Sequence, residues 1–126
     1  MSRTVIHPDG AAPPAVPLSP GIRKGNILQV AGQVGVDPAT GERAGTTVAE
    51  QTRQVLENIE AVLAAGGAGF DDVVMLRVYL TDTAHFAEMN ETYAKLVPQP
   101  YPARTTVYVG LPPGLLVEID ALAVLD

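Results

Sequence analysis

Apolar residues recur along this chain with two periods, and each period predicts its own kind of element. Between Thr47 and Ala65, Val48, Val55, Leu56, Ile59, Val62 and Leu63 share one face at helical spacing. Thr47 followed by Glu50 fits a capping box at the start of that helix, and Gly66-Gly67 permits the left-handed backbone that stops it. A second helix is predicted from a cap at Asp82 or Thr83 to about Leu96, burying Phe86, Met89, Tyr93 and Leu96. Strand-like stretches run over Arg3–His7, Ile27–Gln33, Val73–Leu80, Ala103–Val109 and Leu115–Leu125, and Gly25-Asn26 suits a tight hairpin turn that joins Ile27–Gln33 to a further strand-forming stretch before it. The segment from Pro8 to Pro20 holds five prolines and reads as a surface or lid-like loop. The order β-β-β-α-β-α-β-β defines an α+β arrangement in which both helices cover one face of a sheet.

Strand parity then sorts the sheet residues into two faces. One face collects Leu28, Val30, Val74, Leu76, Val78, Leu80, Val107, Val109, Val117, Ile119, Ala121 and Ala123. It is uniformly apolar and is expected beneath the helices. The other collects Gln29, Gln33, Arg77, Tyr79, Arg104, Thr106, Tyr108, Glu118 and Asp120, with Ile27, Val73, Met75, Leu116, Leu122 and Val124 among them. Such a face is too apolar for water and too polar for a closed core. A subunit interface that also holds a site resolves the conflict, so the pattern predicts self-association without fixing the number of subunits.

Composition narrows the class. The chain has 126 residues, enough for one domain (1–126) and one core. It is 47% hydrophobic and only 5% aromatic, so Val, Leu, Ile and Ala must build that core. Eight basic against 14 acidic residues give a net charge of −6, and no basic stripe supports nucleic-acid binding. The absence of cysteine removes disulfides, thiolate catalysis and zinc–thiolate sites. No apolar run is long enough to span a membrane and no leader opens the chain, so cytoplasmic residence is expected.

Few residues are left to carry chemistry. Arg104 and Glu118 share the mixed face on strands joined by a short connection, and the two strands are either neighbours or separated by the loop's course. An inward Arg needs a partner or an anion, and its planar fork suits a carboxylate. A structural Arg–Glu pair and a ligand site both satisfy that need. Asn90, among apolar positions of the second helix, is either a structural hydrogen-bonding group or a ligand contact. Gly32 marks either a bulge or close approach by a ligand. His7 and His85 lack metal-ligand spacing, so no metal site is expected, and neither Ser2 nor Ser19 sits in a nucleophile elbow.

Four segments then match a known pattern in order. Ala31-Gly32-Gln33 with Asp37-Pro38-Ala39-Thr40-Gly41-Glu42, Phe86 to Tyr93, Pro102 to Val107, and Val117-Glu118-Ile119-Asp120-Ala121 resemble the motifs of the RidA/YjgF family, from about Val16 to Val124. The resemblance implies a chorismate-mutase-like α+β fold, a homotrimer with sites between subunits, and cofactor-free hydrolysis of 2-enamino or 2-imino acids to 2-oxo acids and ammonia. By the same resemblance Arg104 clamps the substrate carboxylate and Glu118 holds or activates water. Gly32 and Thr106 would line the pocket with their backbones, and Asn90 would support it. Leu18 stands where many members carry Tyr, and Ala31 where they carry Ser, which makes the pocket more apolar and leaves the clamp in place. A non-catalytic carboxylate binder and a ribonuclease are the alternatives, and the net charge disfavours the second.

Overall fold

The computed structural model describes residues 2–126. Six strands form one sheet: β1 (Thr4–Ile6), β2 (Gly21–Lys24), β3 (Ile27–Val34), β4 (Val73–Leu80), β5 (Ala103–Tyr108) and β6 (Val117–Val124). Two helices, α1 (Val48–Ala65) and α2 (Phe86–Leu96), pack against it. The spatial order is β1-β2-β3-β6-β4-β5, antiparallel throughout except for the outer pair β4 and β5, which is parallel. α2 and the loop after it form the crossover that a parallel pair requires. No helix among the described residues is long and apolar enough to cross a membrane.

Local chemistry sets the element ends much as the pattern predicts. The Thr47 hydroxyl accepts from the Glu50 N–H at 3.1 Å while the Glu50 carboxylate accepts from the Thr47 N–H at 3.2 Å. That reciprocal box satisfies two donors that a helix start leaves open. At the other end the Ala68 N–H donates to the Leu63 carbonyl, and Gly67 between them takes φ +80°, a conformation in which a Cβ would be strained. The β2–β3 hairpin turns on Gly25 at φ +61°.

The core lies between the helices and one sheet face. Leu28, Val30, Leu76, Val78, Leu80, Val117, Ile119, Ala121 and Ala123 are fully buried there against Val55, Leu56, Ile59, Leu63 and Met89. Each large side chain in that set contributes about 1.5–3 kcal/mol by leaving water, so this layer dominates stability. Gln51, Thr52, Asn58 and Thr92 are polar residues buried with it, and Gln51 is the one that joins separate elements most fully. The Gln51 amide donates to the Gly45 and Gly114 carbonyls at 3.1 and 2.8 Å and accepts from the Leu116 N–H at 2.8 Å. It ties α1 to the loop that leads into β6.

Parity fails in three places, each for a structural reason. A bulge between Val73 and Met75 turns Val73 into the core and leaves Val74 exposed, the reverse of the expectation. A second bulge in β3, between Val30 and Gln33, contains Gly32. The largest reversal is β5. Its register sets Arg104 opposite Leu76, Thr106 opposite Val78 and Tyr108 opposite Leu80, so these three share the helix-covered side of the sheet. Val107 and Val109, expected in the core, are exposed instead. As the outer strand, β5 has little helix above it, so apolarity there does not report which side is covered. Phe86, expected to be buried in α2, lies at the surface for the same reason.

Candidate active site

The reversal of β5 separates the two residues that sequence parity had joined. Arg104 stands on the helix side of the edge strand, and Glu118 on the open side of β6, opposite Tyr79 of β4. β4 runs between their strands. They form no pair within one chain, which excludes the intrachain structural Arg–Glu bridge as the reason for either.

Around Arg104 the site is aromatic. Its guanidinium carbon lies 4.9 Å from the centre of the Tyr93 ring and 5.6 Å from that of Phe86. Both rings belong to α2, and both offer the negative face of a π system. Among the described residues the only salt bridges are Arg77–Asp120 and Lys95–Glu91, so Arg104 has no carboxylate within reach. Asn90, Tyr93, Ala94, Tyr101, Pro102 and Arg104 line a pocket of about 280 Å3. Phe86, Asn90 and Ala94, spaced i, i+4 and i+8, are the α2 stripe that turns toward β5. Thr106 follows Arg104 on the same side, and its hydroxyl, like that of Tyr93, is buried without a hydrogen bond among the described residues. Burial raises the Tyr93 phenol above its ordinary value, partly offset by the Arg104 charge, so the ring stays neutral beneath the cation.

Around Glu118 the site is polar. Gly32 lies so close that an added Cβ would collide with the Glu118 carboxylate, with its Cδ only 2.9 Å away. Gly32 therefore is a bulge and also a close approach, and the approaching group is Glu118. Two residues along β6, Asp120 accepts from Arg77 Nε at 2.8 Å and from the Tyr79 hydroxyl at 2.9 Å. Glu118 itself has no hydrogen-bonded or ionic partner among the described residues. Burial first, and the Asp120 charge second, push its carboxyl above the ordinary range.

Five sequence candidates thus become two half-sites. Arg104, Thr106 and Asn90 assemble one, Gly32 and Glu118 the other. The aromatic bed of Phe86, Tyr93 and Tyr101 was not read as functional, although the 86–90–94 spacing marks a second face of α2 that the core does not need. The Asp120–Arg77–Tyr79 group was also missed; its members were assigned correctly to one face but not linked.

An edge-strand arginine on aromatic rings and a glycine-cradled carboxylate thus stand on opposite faces of one six-stranded sheet in an α+β domain. The family model described as Endoribonuclease L-PSP matches residues 9–125. A RutC family protein of Pyrococcus horikoshii is 46% identical over 122 residues, covering 96% of this chain and 97% of that protein. Reactive Intermediate Deaminase A of Arabidopsis thaliana is 36% identical, covering 99% of this chain and 67% of that protein. The crystal structure of E. coli TdcF with bound serine superposes with a TM-score of 0.90 at 33% identity, covering 98% and 99% of the two chains. The chain belongs to the RidA/YjgF family.

Proposed function

We propose that this chain is a cofactor-free hydrolytic deaminase of 2-enamino and 2-imino acids, acting at sites shared between the subunits of a homotrimer. The observation that carries the reading is Arg104, partly buried with aromatic rings beneath its guanidinium and no carboxylate beside it among the described residues. A cation so placed awaits an anion, and the forked edge of guanidinium holds a carboxylate by two parallel hydrogen bonds. Deamination in a relative and bound serine in a structural neighbour agree with an amino-acid-sized ligand.

The two half-sites lie on opposite faces, so a site using both draws Arg104 from one subunit and Glu118 from another. The open face still exposes Ile27, Val107 and Val124, which favours its being covered by a second copy. In that site Arg104 would fix the carboxylate, and Asn90 with the backbone of Thr106 and Gly32 would border the substrate. A 2-enamino acid first gains a proton at C3 to give the imine. Glu118 would then take a proton from water as its oxygen bonds to C2, and the resulting amino alcohol collapses. Glu118 returns that proton to nitrogen, the C2–N bond breaks to release ammonia, and the hydroxyl gives its own proton to water as the C2 carbonyl forms, so a 2-oxo acid remains. Burial raises this carboxyl above the ordinary range and so makes it a stronger base than an exposed carboxylate, which suits the taking of that proton from water.

Subunit mixing tests the reading. Arg104→Ala and Glu118→Gln are each expected to be inactive when 2-aminoacrylate is generated in place and release of its 2-oxo acid is followed. Unfolded together at equal amounts and refolded, they should recover about one-quarter of wild-type activity, since that share of interfaces joins two intact residues. No recovery would place each site within one chain and sink the shared-site mechanism. A rise in melting temperature with 2-oxo acids but no turnover of any imine would leave a carboxylate-binding protein instead. The family's description names a ribonuclease, and a chain of net charge −6 with eight basic residues gives that reading little electrostatic support.

A further inference from the structure

We propose that Asp120 is the electrostatic positioning residue of the site: fixed by Arg77 and Tyr79, it directs its charge at Glu118 from two places along the same strand. The inference rests on the reading of Glu118 as the proton-handling group, and it adds a set of residues that neither touch substrate nor stabilise the core.

The geometry is tightly specified. Glu118 and Asp120 point to the same side of β6, roughly 7 Å apart along the strand. Directly opposite them on β4 stand Tyr79, in register with Glu118, and Arg77, in register with Asp120. Asp120 spends one carboxylate oxygen on Arg77 Nε and the other on the Tyr79 hydroxyl, at 2.8 and 2.9 Å. Its side chain is 14% exposed while that of Arg77 is 50% exposed, so the anion faces the sheet and its counter-cation faces outward. Water therefore screens Arg77 more than Asp120, and the pair is not neutral as seen from Glu118. The tyrosine closes the arrangement: burial and its bond to Asp120 raise its phenol, so it remains a donor and adds no charge.

Among the described residues, Asp120 and Arg77 are the charged groups that face Glu118 from the strands packed against it. β3 brings Gly32 and Val34 against it, β4 brings Tyr79 and Arg77, and β6 brings Asp120. In the proposed assembly Arg104 of a second copy adds a cation from across the interface. Asp120 opposes that cation. Without it, a carboxylate beside a guanidinium would become too weak a base to take a proton from water; with it, Glu118 keeps the basicity that the hydrolytic step requires.

The test reads Glu118 directly in the assembled protein, by following its isotope-labelled carboxyl resonance through a pH titration without substrate. Asp120→Asn should move the Glu118 midpoint down. Arg77→Met should move it up, because Asp120 then acts unopposed, and Arg77→Lys should restore the wild-type midpoint. A group that merely braces the sheet predicts no pair of opposite displacements, so an unmoved midpoint, or movement in one direction for both variants, overturns the proposal. Arg77 is half-exposed, and its upward displacement decides the matter even if Asp120→Asn does not fold. Because no turnover is measured, failure to hydrolyse imines counts against the deaminase reading and leaves this result standing. Where activity is present, the limb of kcat/KM set by Glu118 should follow the same displacements.

Discussion

Arg104 and Glu118 are held by opposite kinds of chemistry. Arg104 rests on two aromatic rings and makes no side-chain hydrogen bond or ion pair among the described residues, so carbon packing and ring electrostatics orient it. Glu118 stands in a polar corner, with a glycine cleared away for it and a second carboxylate pinned nearby by two hydrogen bonds. Each half leaves one charge unanswered, the cation on one side of the sheet and the anion on the other. A partly buried charge without a partner is costly to a monomer. The cost is removed if the halves of two copies meet, and on the proposed function the difference then has a use: one half would bind by shape and charge, the other would move protons.

The largest expected effect breaks the aromatic half. Arg104→Ala should lower kcat/KM on the order of 100-fold or more, the scale of a lost bidentate charge-assisted contact. Arg104→Lys should recover only part, since an ammonium lacks the planar fork and stacks less well on Tyr93 and Phe86. Thermal stability should hardly change, because Arg104 supports no other group. Equal activity for both variants would show that neither fork nor stack matters.

The polar half depends on the fold in a way the aromatic half does not. Gln51 is fully buried and binds the Leu116 N–H two residues before Glu118, along with two glycine carbonyls. Gln51→Leu strands those groups and should cost about 2–3 kcal/mol in denaturant unfolding. Binding of 2-oxo acids at Arg104 should survive below the unfolding transition, while turnover falls. Loss of both together would mean that the halves are one cooperative unit.

The sequence made the core and the element order legible, because buried periodicity is a strong signal wherever a helix lies over a strand. Leu76, Val78 and Leu80, or Val55 and Ile59, could only face inward. It misassigned Arg104 because β5 is the outer strand, where Thr106 and Tyr108 on the helix side and Val107 on the open side invert the usual rule. Strand neighbours were equally hidden: β6 enters between β3 and β4, and no local residue pattern reports that insertion. Motif order also names Arg104, Thr106, Asn90, Gly32 and Glu118, and it does so without reference to a face, so their candidacy does not depend on the parity that failed.

A finer cut on the polar half uses Gly32. In Gly32→Ala the new methyl meets the end of the Glu118 side chain, a flexible group that can swing away. The stability cost should stay below about 1 kcal/mol, because no backbone moves. Activity should drop roughly 10-fold as the carboxylate leaves its place. An active Gly32→Ala protein would argue that Glu118 need not occupy the position seen here.

The smallest effect is thermodynamic, and its sign separates the isolated chain from the assembly. Burial and Asp120 raise the Glu118 carboxyl in the folded chain, so the folded state holds more of this proton than the unfolded state just above the ordinary carboxylate range. Stability contributed by Glu118 is then whole below its unfolded value and is lost as pH rises through the folded value. Glu118→Gln removes that loss. Its melting temperature should match wild type at about pH 4 and exceed it modestly at about pH 8, while deamination falls. The reverse, a variant that is less stable only at the higher pH, would mean that a cation across the interface outweighs burial and Asp120. The aromatic half of one subunit would then be stabilising the polar half of the next even before substrate arrives.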